Sequence, residues 1–334
     1  MPAITVDDTL VLPRLPSVPE GTRPRPVTQT VNAHHAIEGA GFEVWRPFPG
    51  GVDAHVADPF FLLDQLGPVE YAPNEPVGAP WHPHRGFETV TYVMDGEIAH
   101  HDSNGGGGVI GEGDTQWMTA GAGILHDEVP TQAFLRNGGP SHAVQLWVNL
   151  PAALKFTPPR YQAIDSSQLT LLTSPDGGAL VRLIAGDLGG FAGPGVTHTP
   201  ITYAHVTLVA GAELEVPWDR RYSALVYVLS GRGLLGDERR PLDGHQLAVP
   251  GDGDTVRVGA AATQPGDATA LEVLLLGGLP IREPIAHYGP FLMNTRAEVL
   301  DAIDDFNHGR MGTVPAVDLA RTDAAAEQDP PSPT

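Results

Sequence analysis

The chain has 334 residues, 41% apolar and 18% charged, with 19 Lys and Arg against 40 Asp and Glu, a formal net charge of −21. That length suggests about two domains, and the apolar share is enough to build real cores. The acid excess without a basic patch excludes phosphate-led nucleic-acid binding, and the absence of cysteine excludes disulfides, thiolate metal ligands, iron–sulfur clusters and cysteine nucleophiles.

Forty glycines and 33 prolines disfavour long helices and favour short strands joined by tight turns. No apolar run reaches the roughly 18 residues that span a bilayer. The N-terminal MPAITVDDTLVLPRLPSVPEG has neither a basic n-region nor an apolar h-region, so a soluble, cytoplasmic protein is expected.

Residues 1–27 are proline-rich without an amphipathic period and read as a flexible arm or an extended lead-in strand. His34, His35 and His55 read as solvent or lid residues. Glu88–Met94 is a β-branched and aromatic run, and Asp95-Gly96 after it signals a hairpin with Glu97–His101 as the return strand. On such a strand one of His100 and His101 must point outward, which argues against a joint ligand role. Gly105–Gly108 reads as a mobile hairpin tip, because no helix or Lys-Ser/Thr follows to make it a phosphate loop. Thr115–Thr119 and Val144–Asn149 complete a set of short strands suited to a sandwich or barrel.

A second set repeats the first. Ala224–Gly231 resembles Val90–Gly96 at an offset of 135 residues, and Val249–Asp252 echoes Ile110–Asp114. A period this long indicates a duplicated domain, with the boundary between residues 155 and 156. Near the C-terminus, Thr295-Arg-Ala-Glu298 has the form of a capping box. Val299, Leu300, Ile303 and Phe306 then make an apolar stripe, and Gly309 stops the helix. Residues 314–334, acidic and proline-rich, read as a disordered tail.

The chemistry concentrates in Trp81–Glu88 and Gly121–Glu128. His82 and His84 are two apart, so an extended strand puts both imidazoles on one face, about 7 Å apart at Cα. His126 and Glu128 share that spacing, and two such pairs facing each other across a small barrel give three His and one Glu around one ion. This donor set suits Fe, Mn, Ni, Co, Cu or Zn. Phe60, Asp64, Gln116 and Met118 are candidates to line the pocket, with core packing the alternative for Phe60 and Met118. With Glu88, the first motif approximates the cupin signature HxHx3E, a second motif supplying a further His.

Four stretches together resemble the pirin family: His82–Glu97, Gly113–His126, Gln145–Leu150 and Tyr288–Thr295. The resemblance covers roughly residues 28–312. It implies an all-β bicupin, two jelly-roll barrels in tandem with a short C-terminal helix, at residues 28–155 and 156–313. It implies one metal in the first barrel, most often iron, held by His82, His84, His126 and Glu128, with Glu88 near the metal but not ligating it. The second barrel carries Pro217, Asp219 and Ser223 at the positions of His82, His84 and Glu88, so no metal is expected there, and His245 and His287 read as structural. The activity implied is a quercetin 2,3-dioxygenase type of oxygenase, taking a flavonol and O2, with Glu128 or Glu88 as general base. The alternative implied is a non-enzymatic, redox-sensitive regulator that binds a protein partner. No membrane or direct nucleic-acid partner is expected, and closed barrels without a free edge point to a monomer.

Overall fold

The computed structural model describes residues 4–38 and 41–315. Each half builds a seven-stranded and a four-stranded antiparallel sheet. In the first half the large sheet runs, in spatial order, Arg160–Ile164, Thr115–Thr119, Phe87–Asp95, Gly139–Asn149, Phe60–Tyr71, Phe42–Phe48 and His34–Glu38. The small one runs Ala79–His84, Ile124–Pro130, Ile98–Asp102 and Gly107–Ile110. The second half repeats the plan, and the two jelly-roll barrels stand in tandem as a bicupin, with one longer helix, Arg296–Asn307, near the C-terminus. Among the described residues no helix is long and apolar enough to cross a membrane.

Strand alternation explains how the barrels meet. Phe87–Met94 is buried along its whole length, so both faces are covered. Val90, Tyr92 and Met94 face a core shared with Tyr203, Tyr227 and Leu274 of the second large sheet. The intervening Thr89 and Thr91 turn into the first barrel, which is why this side of the strand is polar. The second barrel's own interior is apolar, filled by residues such as Leu214, Val216, Trp218 and Val226.

Four expectations need correction. The stretch before residue 28 is no free arm over residues 4–27. Leu15 is buried, its N–H donates to Thr173 O at 2.9 Å, and Arg25 N–H donates to Thr255 O at 2.9 Å. The backbone carbonyl of Ile4 accepts from the wholly buried Arg182 guanidinium at 2.6 and 2.8 Å. The cut at 155/156 does not separate two self-contained sheets either. Val27–Asn32 pairs with Gln246–Pro250 of the second barrel, and Arg160–Ile164 pairs with Thr115–Thr119 of the first.

Asp95-Gly96 is a turn, with Gly96 at φ +86°, but not a hairpin. Ile98–Asp102 leaves the sheet of Phe87–Asp95 and joins the small sheet between Ile124–Pro130 and Gly107–Ile110. The glycine loop is the tip of that last hairpin, and Asp102 Oδ1 pins it by accepting from Asn104 N at 2.7 Å and Gly106 N at 2.9 Å.

The C-terminal helix has its capping box at Thr295 and Glu298. Its buried face is Val299 and Ala302, however, while Leu300 and Phe306 are exposed. It packs not on its own barrel but across the first one, where Phe291, Ala302 and Met311 cluster with Leu125, and Arg85 Nη1 pairs with Asp305 at 2.7 Å. The expected disordered tail falls, from residue 316 on, outside the described residues.

Candidate metal centre

Three adjacent strands of the small sheet supply the site. Ala79–His84 pairs antiparallel with Ile124–Pro130 so that His126 lies opposite His82, and Ile98–Asp102 on the other side sets His100 opposite Glu128. Alternation turns all of them inward, while the intervening His101 and Asp127 pair outside at 2.8 Å. Gly86 makes the sharp exit after His84. Its φ is +92°, and a Cβ there would meet Leu292 O at 2.1 Å, so no side chain fits.

The ligand atoms of His82, His84 and His126 lie within 4.8 Å of one another, and so, as a second group, do those of His100, His126 and Glu128. His82 Nε2 is 3.1 Å from His84 Nε2. Outer partners sit on the other ring nitrogens: Pro80 O is 2.7 Å from His82 Nδ1, and Pro290 O is 3.3 Å from His84 Nδ1. Both carbonyls accept, which places the protons on Nδ1 and leaves two Nε2 lone pairs facing each other with no proton between them. His126 Nε2 is buried with no hydrogen-bond partner. Burial, with the neighbouring imidazoles, holds His84 and His126 well below the usual histidine range, so both rings are neutral. Converging lone pairs with an orphaned buried nitrogen fit a cation that accepts imidazole donors.

Glu128 is held by three donors. Thr91 Oγ1 donates at 2.9 Å and Gln116 Nε2 donates to the same Oε1, while Gln145 Nε2 donates to Oε2 at 2.8 Å. The cluster opens on a cavity of about 550 Å³ whose walls include Val44, Leu62, Phe134 and Trp147. Such a size accommodates a small molecule. On one wall Arg46 donates twice to Asp64, at 2.7 and 2.6 Å, and once to Glu38 at 2.6 Å.

Some of the residues singled out in the sequence stand elsewhere than expected, and others stand where it put them. Glu88 is away from the cluster. It is fully buried on the interbarrel face of its strand, where Thr119 Oγ1 donates to it at 2.7 Å and Thr197 Oγ1 of the other half at 3.1 Å. The turn at Gly86 reverses the face, so spacing from His84 does not carry Glu88 inward. Asp64 lines the cavity; Gln116 reaches it only through Glu128; Phe60 and Met118 belong to apolar clusters. His287 lines the cavity, its ring 4.6 Å from Phe61, because the C-terminal segment crosses over to this barrel. His245 stacks on Trp45 at 4.1 Å and bonds Gln65 Oε1 at 3.1 Å between the barrels. His35 also rests on Trp45, at 4.6 Å. His100, set aside on the sequence, is fully buried beside His126 and Glu128.

The chain matches the Pirin family over residues 41–148 and the Pirin C-terminal cupin domain over residues 203–312. A protein of Pseudomonas aeruginosa, provisionally named a quercetin 2,3-dioxygenase, is 42% identical over 280 residues, covering 84% of this chain and 95% of its own. Pirin of Rattus norvegicus is 38% identical over 289 residues, covering 86% and 93%. The crystal structure of quercetin 2,3-dioxygenase from Acinetobacter baumannii is 37% identical and superposes with a TM-score of 0.81, over 87% of this chain and 100% of that one. With both halves matched in order and relatives aligned almost end to end, the chain belongs to the pirin family.

Proposed function

We propose that the chain is a metal-dependent dioxygenase acting on flavonols of the quercetin type or a related small enol or phenol, with Fe(II) as its ion. His82, His84, His126 and Glu128 would hold the metal. Mn, Ni, Co, Cu and Zn suit the same donors. The observation that carries the reading is the convergence of three imidazole nitrogens, one each from His82, His84 and His126, at the end of a mostly apolar cavity. Relatives named as quercetin 2,3-dioxygenases agree with it.

A bound metal would supply a Lewis-acid and O2-activating centre. The chain's own residues do the rest. The neutral rings of His84 and His126 present lone pairs rather than positive charge. Thr91, Gln116 and Gln145 fix the orientation of Glu128, which takes the proton from the substrate hydroxyl as general base. Leu62, Val44 and Trp147 offer an apolar wall to a flat aromatic body and keep water from the reacting face. The cavity on the ligand set favours turnover over a purely partner-binding regulator.

The test is aerobic incubation of the metal-loaded protein with quercetin, following the flavonol absorbance. The expected result is loss well above the free-metal control, abolished in His82→Ala and Glu128→Ala. No loss above that control with Fe, Mn, Ni, Co or Cu would overturn the assignment.

A further inference from the structure

The three imidazoles of the cluster each spend Nδ1 on an outer partner, but the partners differ in kind. Those of His82 and His84 are backbone carbonyls, Pro80 O and Pro290 O. A carbonyl has one role and cannot change it. The partner of His126 is a side chain, the Nδ1 of His100 at 3.4 Å. His100 is wholly buried, its ring stacks on Tyr161 at 4.9 Å and 24°, and its Nε2 stands 3.8 Å from Asp102 Oδ2. Asp102 is itself fixed through its other oxygen by the amides of Asn104 and Gly106. A Cβ on Gly106 would meet Asp102 Oδ2 at 2.3 Å, so the glycine loop has a task here beyond making the turn.

We propose that His100 is the positioning residue for His126. Its Nδ1 lone pair accepts the Nδ1 proton of His126, selecting the tautomer in which His126 Nε2 offers its lone pair inward. For that, His100 carries its own proton on Nε2, the nitrogen beside the Asp102 carboxylate. The Asp102 carboxylate, at 3.8 Å too far for a hydrogen bond, favours that proton by charge alone, and Tyr161 holds the middle ring in plane. The competing arrangement makes His100 a direct ligand together with His126 and Glu128, whose ligand atoms are also within 4.8 Å. That would turn the Nδ1 lone pair of His100 away and leave His126 Nδ1–H without an acceptor in a fully buried place, which is costly.

The inference rests on the metal reading of His82, His84, His126 and Glu128, and its test keeps the two apart. The full chain and the variants His100→Ala, His100→Asn and His126→Ala are titrated with Co(II) against a competing chelator, and their visible spectra recorded. His100→Ala should bind about 10–100-fold more weakly with the wild-type coordination number. His100→Asn, whose amide oxygen can accept from His126, should recover most of the loss. In the metal-free wild type, long-range proton–nitrogen correlation should show His126 protonated on Nδ1, a readout that needs no variant to fold. Unchanged affinity in His100→Ala, an altered coordination number, no rescue by Asn, or an Nε2-protonated His126 would each overturn the role of His100. A wild-type chain that takes up no Co(II) would instead sink the metal reading, and this inference with it.

Discussion

His82 and His126 are direct cross-strand partners, their rings 4.3 Å apart between centroids. Antiparallel pairing brings two distant stretches together there, and the HxH spacing adds His84 from the same strand, its ring 4.9 Å from that of His126. The cluster is thus a property of one sheet, which keeps its geometry stiff.

Ligand removal should therefore act on metal uptake before it acts on fold. In protein purified without added metal, His82→Ala, His84→Ala and His126→Ala should each lose more than the about 10–100-fold in affinity that losing an outer partner costs. Elemental analysis with far-ultraviolet circular dichroism checks this. Full metal occupancy in any of the three, with the fold intact, would remove that residue from the set.

Glu88→Gln should behave in the opposite way. The carboxylate accepts from one threonine of each half, and a glutamine amide keeps both contacts only if one hydroxyl turns from donor to acceptor, with the charge assistance lost from each. A loss of about 1–2 kcal/mol in urea unfolding is expected, with metal content and flavonol turnover unchanged. A Glu88→Gln protein that unfolds normally but loses its metal would return Glu88 to the site.

How much of this was legible in the sequence follows from which contacts are local. The HxH and HxE pairs are set by strand alternation within a few residues, so His82, His84, His126 and Glu128 could be named without a fold. The capping box at Thr295 and Glu298 is local in the same sense. His100 was not legible, because its place depends on which sheet its strand joins, and the Asp95-Gly96 signal suits a sheet-switching corner as well as a hairpin. Glu88 was misplaced for a related reason: the positive φ at Gly86 resets which face the next residue takes. Nothing periodic marks His287, which reaches the cavity only because the segment after Gly278 crosses to the other barrel.

Acid should destabilise the protein through its buried histidines. Burial, aided by neighbouring positive groups, pulls His142 down to about 3, and Gln65 Nε2 donates to its Nε2 at 2.9 Å. In the unfolded chain the same ring titrates near about 6.5. Between those values the unfolded state binds more protons, so stability falls as pH falls, by at most about 1.4 kcal/mol per pH unit for one histidine. Urea unfolding at pH 7 and pH 4.5 should show a drop that His142→Gln reduces by about 2 kcal/mol. An equal drop in the variant would mean that His142 is charged in the folded state.

Lys155 is the only lysine in the chain, and it is buried where the two halves close on the ligand loop. Its Nζ donates to Gly86 O at 2.8 Å, Asn149 Oδ1 at 2.7 Å and Leu292 O at 2.8 Å. It thereby ties the turn after His84 to the C-terminal segment that carries Pro290, the outer partner of His84. Lys155→Met keeps the aliphatic bulk but strands three acceptors, so a loss of about 3 kcal/mol in urea unfolding is expected, together with weaker metal retention as Pro290 drifts from His84. The single lysine also gives a direct readout of opening. An amine-reactive reagent should label the native wild type at its N-terminus alone, with Lys155 modified only as the segment lifts, and mass spectrometry of the peptide containing residue 155 follows that rate. Rapid labelling of Lys155 under native conditions, or a Lys155→Met protein with unchanged stability and metal retention, would show that the lysine does not hold the two halves together at this loop.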